Sequence, residues 1–283
     1  MNTPALVLVA HGTRSTRGVE MIAALAEAVA GELAARAREG GTGAADLMTA
    51  LPAEAGAGAA FGVASASSTT PGAADLGRLS GGVPQVRTAF VDVLGPSPAE
   101  VLRDLEDVPA VVVPAFLASG YHVYQDVPRE VAASAHGAVA VTQAMGPDPA
   151  LAAVMRMRLR AAGWRPGDAV VFAAAGSSDA RARQDVRRAA GLLAEQIAAP
   201  VRVAYIATGE PRVPEVVAAL REQGARRVFI ASYLLAHGLF HERLHAAGAD
   251  GVAEPIGVHP AIVRLLVDRY RIAAGTLSTV RAA

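Results

Sequence analysis

The chain has 283 residues, of which 52% are hydrophobic and 4% aromatic, so we expect a core of Ala, Val and Leu in one large domain or two ordinary ones. The 26 acidic residues balance 26 basic residues, all arginine, which argues against a general nucleic-acid partner. The absence of cysteine excludes disulfides, thiolate metal sites and cysteine-ligated iron–sulfur clusters. No apolar run reaches the ~18 residues of a membrane span, and no signal-like segment is present. We therefore expect a soluble, cytoplasmic protein with no membrane partner.

The first predicted element is a strand that ends on a histidine. Residues 5–10 are continuously apolar, which is typical of a strand buried on both faces of a parallel sheet. His11 then stands at the carboxyl edge of the sheet, where open α/β folds bind ligands, and Gly12 permits a tight turn. The alternative is a structural histidine that is hydrogen-bonded inside a loop. This short segment alone does not distinguish a ligand-binding histidine from a structural one.

Strands and helices alternate along the first half, which predicts βαβ units and a parallel sheet. A helix is predicted over 19–38, and residues 40–85, rich in Gly, Ala, Ser, Thr and Pro, predict a poorly ordered insertion. The later elements are predicted as strands at 86–91, 110–114 and 138–142 and helices at 97–105, 125–134 and 149–162.

The same pattern then begins again, with strands predicted at 168–174, 201–207 and 226–232. "LVAHGTRS" aligns with "FAAAGSSD", "TAFVDVLGP" with "VAYIATGEP", and "VVVPAFLASGYH" with "VFIASYLLAHGLF". We therefore predict an α/β fold of two similar parallel-sheet domains, flavodoxin-like or Rossmann-like, that arose by internal duplication. The N-terminal repeat is placed at 1–146 and the C-terminal repeat at 147–283.

Comparison of the two repeats distinguishes residues that the fold requires from residues that it does not require. Gly12 and Gly120 are matched by Gly176 and Gly238, which indicates a backbone requirement. Three polar residues at the ends of strands in the first repeat are instead apolar in the second. Two imidazoles and a carboxylate at one sheet edge predict a three-ligand site for a divalent metal with open coordination positions, although three unrelated polar residues near loops are the alternative. The three residues are His11, Asp92 and His122, which align with Ala175, Ala207 and Phe240.

Seven motifs carry a resemblance to a known family. They are "LVAHGTRS", "AFVDVLGPSPAEVL", "VVVPAFLASGYHVYQDVP", "VVFAAAGSSDARARQDVRRAA", "VRVAYIATGEPRV", "VFIASYLLAHGLF" and "EPIGVHPAIVRLLVDRY". They cover nearly the whole chain outside 40–85, and the chain resembles the class II chelatases, specifically the sirohydrochlorin chelatases with two fused halves. The resemblance implies a cleft between the domains and insertion of a divalent metal into sirohydrochlorin, a carboxylate-rich tetrapyrrole. Iron insertion leads to sirohaem, and cobalt insertion leads to cobalamin.

The resemblance also implies roles for individual residues. His11 and His122 take the positions of the family's metal-binding histidines, and we assign them to metal binding and pyrrole deprotonation. Asp92 stands where the family commonly has glutamate, which is one methylene longer; it would offset the charge of the metal or orient a histidine. The metal, Fe²⁺ or Co²⁺, is then a substrate, no organic cofactor is expected, and the protein is expected to be a monomer or a homodimer.

The carboxylates of such a substrate need hydrogen-bond donors in the cleft. A helix start with arginines favours anions, and hydroxyl groups near the sheet edge supply further donors. Ordinary surface arginines and capping serines are the alternative for each residue singly. The candidate substrate-binding residues are Arg14, Arg17, Tyr121, Tyr124, Ser177 and Ser178.

A second histidine-rich stretch permits another interpretation. "HERLH" at 241–245 matches the zinc-hydrolase pattern H-E-x-x-H, with His241 and His245 as ligands and Glu242 as base. It follows a strand of the repeat and has no third ligand at a recognisable spacing, so we favour a solvated or cleft-lining helix. A protein that binds a tetrapyrrole or metal without catalysis remains a further alternative to the chelatase.

Overall fold

The computed structural model describes residues 3–12, 15–49, 82–92 and 94–280. The elements of the first half are β1 (Ala5–His11), α1 (Thr16–Thr49), β2 (Val86–Val91), α2 (Pro98–Asp104), β3 (Ala110–Pro114), α3 (Val127–Ser134) and β4 (Val139–Val141). A linking helix α4 (Pro149–Ala161) precedes the elements of the second half, which are β5 (Ala169–Gly176), α5 (Ala180–Ile197), β6 (Val201–Thr208), α6 (Val213–Glu222), β7 (Val228–Tyr233), α7 (Leu239–His245), β8 (Gly251–Val252) and α8 (Pro260–Val280).

Each half contains a four-stranded parallel sheet, and the two sheets have the same topology. The strand orders are β2-β1-β3-β4 and β6-β5-β7-β8, so the first strand of each repeat is central and its second and third strands lie on either side. This identity of order confirms the two similar α/β domains expected from the duplicated motifs. The carboxyl ends of β1, β2 and β3 meet at one edge, because parallel strands run in register, with His11 paired to Val91.

The continuous apolar strands are explained by helices on both faces of each sheet. Leu6 and Leu8 of β1 point into a central core that also contains buried side chains of α1, α4, α5 and α8. Val7 and Val9 point the other way, into an outer core closed by α2 and the start of α3. A matching outer core covers the second sheet, where α6 and α7 pack against β5, β6 and β7.

The helices that close the central core are exchanged between the halves. Helix α4, which follows the first sheet in sequence, packs against α5 and β7 of the second half, whereas α8 packs against α1, β3 and β4 of the first. The buried Tyr270 of α8 donates a hydrogen bond to the carbonyl oxygen of Pro4 over 2.5 Å, at the start of β1. The exchanged helices join the two repeats. The predicted boundary between the domains at residue 146 stays a prediction.

Further bonds join the halves next to the sheet edges. The hydroxyl of Tyr233 donates to the carbonyl oxygen of Leu117 over 2.6 Å, and the backbone N–H of Ser119 donates to Oδ2 of Asp185 over 3.0 Å. Both acceptor and donor on the first-half side belong to the loop that follows β3. This loop is therefore held by the second half immediately before it reaches His122.

Two predicted helices have different bounds in the structure. Helix α1 continues to Thr49 rather than ending near residue 38. The remainder of the proposed insertion, residues 50–81, lies outside the described residues, so its order stays a prediction. The helix predicted from residue 125 begins three residues earlier, as a π-helical turn over His122–Asp126 that runs into α3. Among the described helices, none is both long and apolar enough to cross a bilayer.

Candidate metal centre in the cleft between the halves

Three side chains that are separated along the chain meet at the carboxyl edge of the first sheet. Nδ1 of His11 lies 3.3 Å from Oδ2 of Asp92, and Nε2 of His122 lies 3.5 Å from the same oxygen. One ligand atom from each residue lies within 4.8 Å of the other two. Two ligands at about 2.1 Å from a tetrahedral metal are about 3.4 Å apart, so the spacing around Asp92 suits a metal ion.

The cluster is open to solvent on one side. The side chains of His11, Asp92 and His122 are 56%, 45% and 33% exposed. A site with three protein ligands leaves at least one coordination position for water or substrate, whereas a closed four-ligand site retains its ion. The arrangement can therefore hold a divalent metal and also release it.

Asp92 is directed at the histidines by an unusual backbone conformation. Its φ is 76°, in the left-handed region that Asp and Asn tolerate better than other residues with a side chain. Such strain costs about 1 kcal/mol or more and persists where the surrounding structure demands it. The carboxylate is thereby turned towards His11 and His122 at the end of β2.

The π-helical turn determines the orientation of His122. Its i→i+5 bond, from the N–H of Val127 to the carbonyl oxygen of His122, widens the turn that carries the imidazole. Nδ1 of His122 lies 2.7 Å from Oδ2 of the buried Asp126. A carboxylate accepts hydrogen bonds, so Nδ1–H donates and the lone pair is on Nε2, the atom that faces Asp92.

Asp126 was not among the residues predicted from the sequence, although its i+4 spacing from His122 on a helix was a usable signal. We expect Asp126→Asn to weaken binding of Co²⁺ by about 10-fold, because a neutral amide is a weaker acceptor for the imidazole N–H than a carboxylate. Titration with Co²⁺ followed by absorption spectroscopy measures this affinity.

The matched control is Arg129→Ala. The exposed Arg129 forms an ion pair with Oδ1 of Asp126 over 2.8 Å but does not contact the imidazole. We expect its loss to change the affinity less than 3-fold, since exposed ion pairs contribute little. Equal Co²⁺ affinities of Asp126→Asn and the unchanged protein would show that Asp126 does not position His122.

The cluster opens into a cavity of about 840 Å³ that both halves line. The first half contributes His11, His122 and the loop after β3, and the second half contributes the ends of β5 and β7 with the loops that follow them. This volume is within the range of sites for cofactor-sized ligands. The cleft between the repeats, expected from the family resemblance, is thus present.

The predicted substrate-binding residues are not all at the cavity. Tyr121, Ser177 and Ser178 line it. Tyr124 lies beyond the lining, with the guanidinium of Arg181 4.8 Å from its ring centroid, and Arg17 is exposed on the first turn of α1 without lining the cavity. Arg14 lies outside the described residues. A role in substrate binding stays a prediction for all six.

A cation that the sequence analysis passed over does line the cavity. Arg183 donates through Nη1 to the carbonyl oxygens of Ser177 (3.2 Å) and Ser178 (2.9 Å), which holds the loop after β5 in place. The remaining guanidinium donors suit a carboxylate. Several arginines in the motif "DARARQDVRR" compete for this role, so the sequence alone does not single out Arg183.

The "HERLH" stretch does not form a three-ligand centre. His241 is buried, and its Nε2–H donates to the carbonyl oxygen of Ala253 over 3.1 Å. In the part of the chain that the structure describes, the only three-residue group of metal-ligand type is the one around His11. The segment forms the cleft-side helix that we favoured, and the structure offers no support for the zinc hydrolase.

Taken together, the duplicated sheets, the cleft between them and the open imidazole–carboxylate cluster define a two-repeat α/β protein with a candidate metal-handling site in one repeat. The chain belongs to the CbiX family, whose model matches residues 65–162, which extend through α4, and residues 169–273 of the second repeat. The match includes Asp92 and His122 and starts after His11. It confirms the assignment to the chelatases made from the motifs.

Solved structures show the same fold along the whole chain. SirB from Bacillus subtilis with Fe³⁺ is 20% identical, with a TM-score of 0.71 over 99% of this chain and 98% of that one. The sirohydrochlorin chelatase SirB from Bacillus subtilis subspecies spizizenii, in complex with cobalt, is 19% identical with a TM-score of 0.61 over 97% and 96%. CbiX, the terminal enzyme for biosynthesis of sirohaem in denitrifying bacteria, is 21% identical with a TM-score of 0.60 over 95% and 99%. No curated protein sequence matches the chain significantly.

Proposed function

We propose that this protein inserts a divalent metal ion, Fe²⁺ in the first place or Co²⁺, into sirohydrochlorin. The observation that carries the proposal is the convergence of His11, Asp92 and His122 at the mouth of a cleft between two repeats. The similar structures of SirB with Fe³⁺ and with cobalt support this choice of metals.

The cluster suits a metal that is substrate rather than permanent cofactor. A neutral imidazole binds a metal through the lone pair of one ring nitrogen, and His11 and His122 each offer one such nitrogen to the cluster. Asp92 adds one negative charge and lowers the net charge of the bound ion. The open coordination positions leave room for the pyrrole nitrogens of the substrate. These nitrogens compete for the ion with three protein ligands rather than four.

The cleft suits a flat, carboxylate-rich macrocycle. Large exposed hydrophobic side chains lie on both walls, with Tyr121 from the first repeat and Leu239 and Phe240 from the second. A flat ring between them buries apolar surface on both faces. Arg183 and the hydroxyls of Ser177 and Ser178 are the donors we assign to its carboxylates, and Arg14 and Arg17 remain candidates from the sequence.

Metal insertion also requires that two pyrrole N–H bonds break. An imidazole that is not bound to the metal can accept such a proton at neutral pH. The family resemblance assigns this role to His11 and His122 in addition to metal binding, and either residue can perform it only while its lone pair is not shared with the ion.

An anaerobic assay tests the proposal. The protein is mixed with sirohydrochlorin and with Fe²⁺, Co²⁺, Ni²⁺ or Zn²⁺ in turn, and metallation is followed by absorption spectroscopy. We expect a rate far above the protein-free rate with Fe²⁺ or Co²⁺. Binding of sirohydrochlorin without acceleration would instead indicate the non-catalytic tetrapyrrole carrier and contradict the proposal.

Two further expectations accompany the proposed function. Both walls of the cleft come from one chain, so the site needs no second copy, and a monomer and a homodimer are equally compatible with it. A cytoplasmic location remains our prediction from the composition.

A further inference from the structure

The second repeat contributes two imidazoles to the cleft that the metal cluster does not use, the buried His241 and the more exposed His237. His237 follows β7, lines the cavity, and its side chain is 43% exposed. The repeat alignment that pairs Gly120 with Gly238 places Ser119 opposite His237. The fold therefore does not require a histidine at this position.

A carboxylate fixes the tautomer of this imidazole. Nε2 of His237 lies 2.9 Å from Oε2 of Glu254, in the segment that follows β8. Because an ionised carboxylate only accepts hydrogen bonds, Nε2–H donates and the lone pair of His237 is on Nδ1. The pair has the donor–acceptor arrangement by which a carboxylate orients a general base and stabilises its protonated form.

The other groups around His237 do not oppose a positive charge on it. The ring of His241, on α7, lies edge to face at a centroid distance of 5.0 Å, and burial lowers the pKa of His241, so that this neighbour stays neutral at pH 7. On the side of α1, the uncharged Ser15 lies beside Gly238. Glu254 is the ion-pair partner of His237 and stabilises a positive charge on its ring.

Metal insertion requires an acceptor for the pyrrole protons, and the histidines of the cluster around Asp92 are poor acceptors while they bind the ion. A nitrogen lone pair that is shared with a metal ion is not available to a proton. While His11 and His122 hold the ion, the two pyrrole protons therefore require an acceptor elsewhere in the cleft.

We propose that His237, oriented by Glu254, is the base that accepts the pyrrole protons, an inference that rests on the proposed function. In each transfer a pyrrole N–H bond breaks, its electron pair stays on the pyrrole nitrogen to bind the metal, and the proton forms a bond to Nδ1 of His237. The exposed imidazole passes the first proton to water before it accepts the second. Two protons are thus released for each divalent ion inserted, and charge is conserved.

The test uses the full chain with His237→Ala, Co²⁺ and sirohydrochlorin under single-turnover conditions. We expect the insertion rate constant to fall about 100-fold, because general base catalysis contributes ~10²–10⁴ in rate. We expect the affinity for Co²⁺ alone to change less than 2-fold, and added imidazole to restore part of the rate. Glu254→Gln should cause a smaller loss of about 10-fold, since the base is kept and only its orientation and charge stabilisation are weakened.

His245→Ala is the matched control. His245 is the outermost imidazole of α7, is exposed and does not line the cavity, so its removal should leave the insertion rate unchanged. An unchanged rate in His237→Ala would overturn the inference, as would a loss of Co²⁺ affinity equal to the loss of rate, which would make His237 a metal ligand. Absence of rescue by imidazole would also overturn it. Failure of the proposed function gives a different result, namely no insertion by the unmodified chain.

Discussion

Replacing His122 by alanine should abolish metal insertion, with a loss of at least about 10³-fold in rate, while the protein remains folded. The substitution removes one of the three proposed ligands, and with it the hydrogen bond that links the candidate metal centre to Asp126. The side chain is one-third exposed, and its partner Asp126 keeps the ion pair with Arg129, so we expect the fold to tolerate the change. His11→Ala should have the same effect, because the remaining two residues hold an ion only weakly.

Rate and binding should fall together in these variants. Insertion into sirohydrochlorin is measured with Co²⁺ or Fe²⁺, the affinity for Co²⁺ is titrated separately, and circular dichroism reports the fold. His245→Ala serves again as the control that removes an exposed histidine away from the cluster. A double variant lacking both His11 and His122 that still inserted metal would remove these residues from the site.

Gly176→Ala should lower the free energy of unfolding by about 3 kcal/mol or more, a larger effect than most substitutions produce. The residue ends β5 with φ at +98°, a conformation that residues with a side chain rarely adopt. A Cβ atom there would lie 1.8 Å from the carbonyl oxygen of Thr208, which is backbone and has no rotamer to change. The neighbouring strand β6 would have to move, and the loop containing Ser177 with it.

The matched control for this prediction lies in the same repeat. Gly191 is inside α5, and nothing lies within 4 Å of the position that its Cβ would take. Gly191→Ala should therefore stabilise the protein by up to about 1 kcal/mol, because alanine is the better helix former. Thermal and urea unfolding of both variants measures the difference, and a Gly176→Ala protein as stable as the unchanged one would contradict the argument.

Gly176 shows what comparison of the two repeats could predict and what it could not. Retention of glycine at 12 and 176 predicted a backbone requirement without saying what it was. At position 176 the requirement is close approach to β6, and this depends on how two strands pair 32 residues apart. The spacing of residues along the sequence does not give the distance between these two strands.

The convergence of the residues of the candidate metal centre could be predicted from the sequence for a related reason. In a parallel sheet the ends of neighbouring strands share an edge, so His11 and Asp92 had to lie close together once their strands were recognised. His122 lies eight residues beyond β3, and its position depends on a π-helical turn for which the sequence carries no clear signal. The i+4 spacing of Asp126 from His122 is a signal only once residue 122 is placed on a helix, and the predicted helix began at residue 125. The helix exchange was missed because it depends on how helices pack.

By itself the sequence determined the alternation of strands and helices, the duplication, the apolar faces and the loss of the three polar residues in the second repeat. These are local or periodic properties of the chain, and the alternation of strands and helices appears once in each repeat. The tertiary structure decided which side chains from distant segments share the cleft, among them Arg183, His237 and Glu254. The physical reason is that such encounters depend on packing between helices and on the mutual placement of the repeats, which many residues determine jointly and no motif encodes.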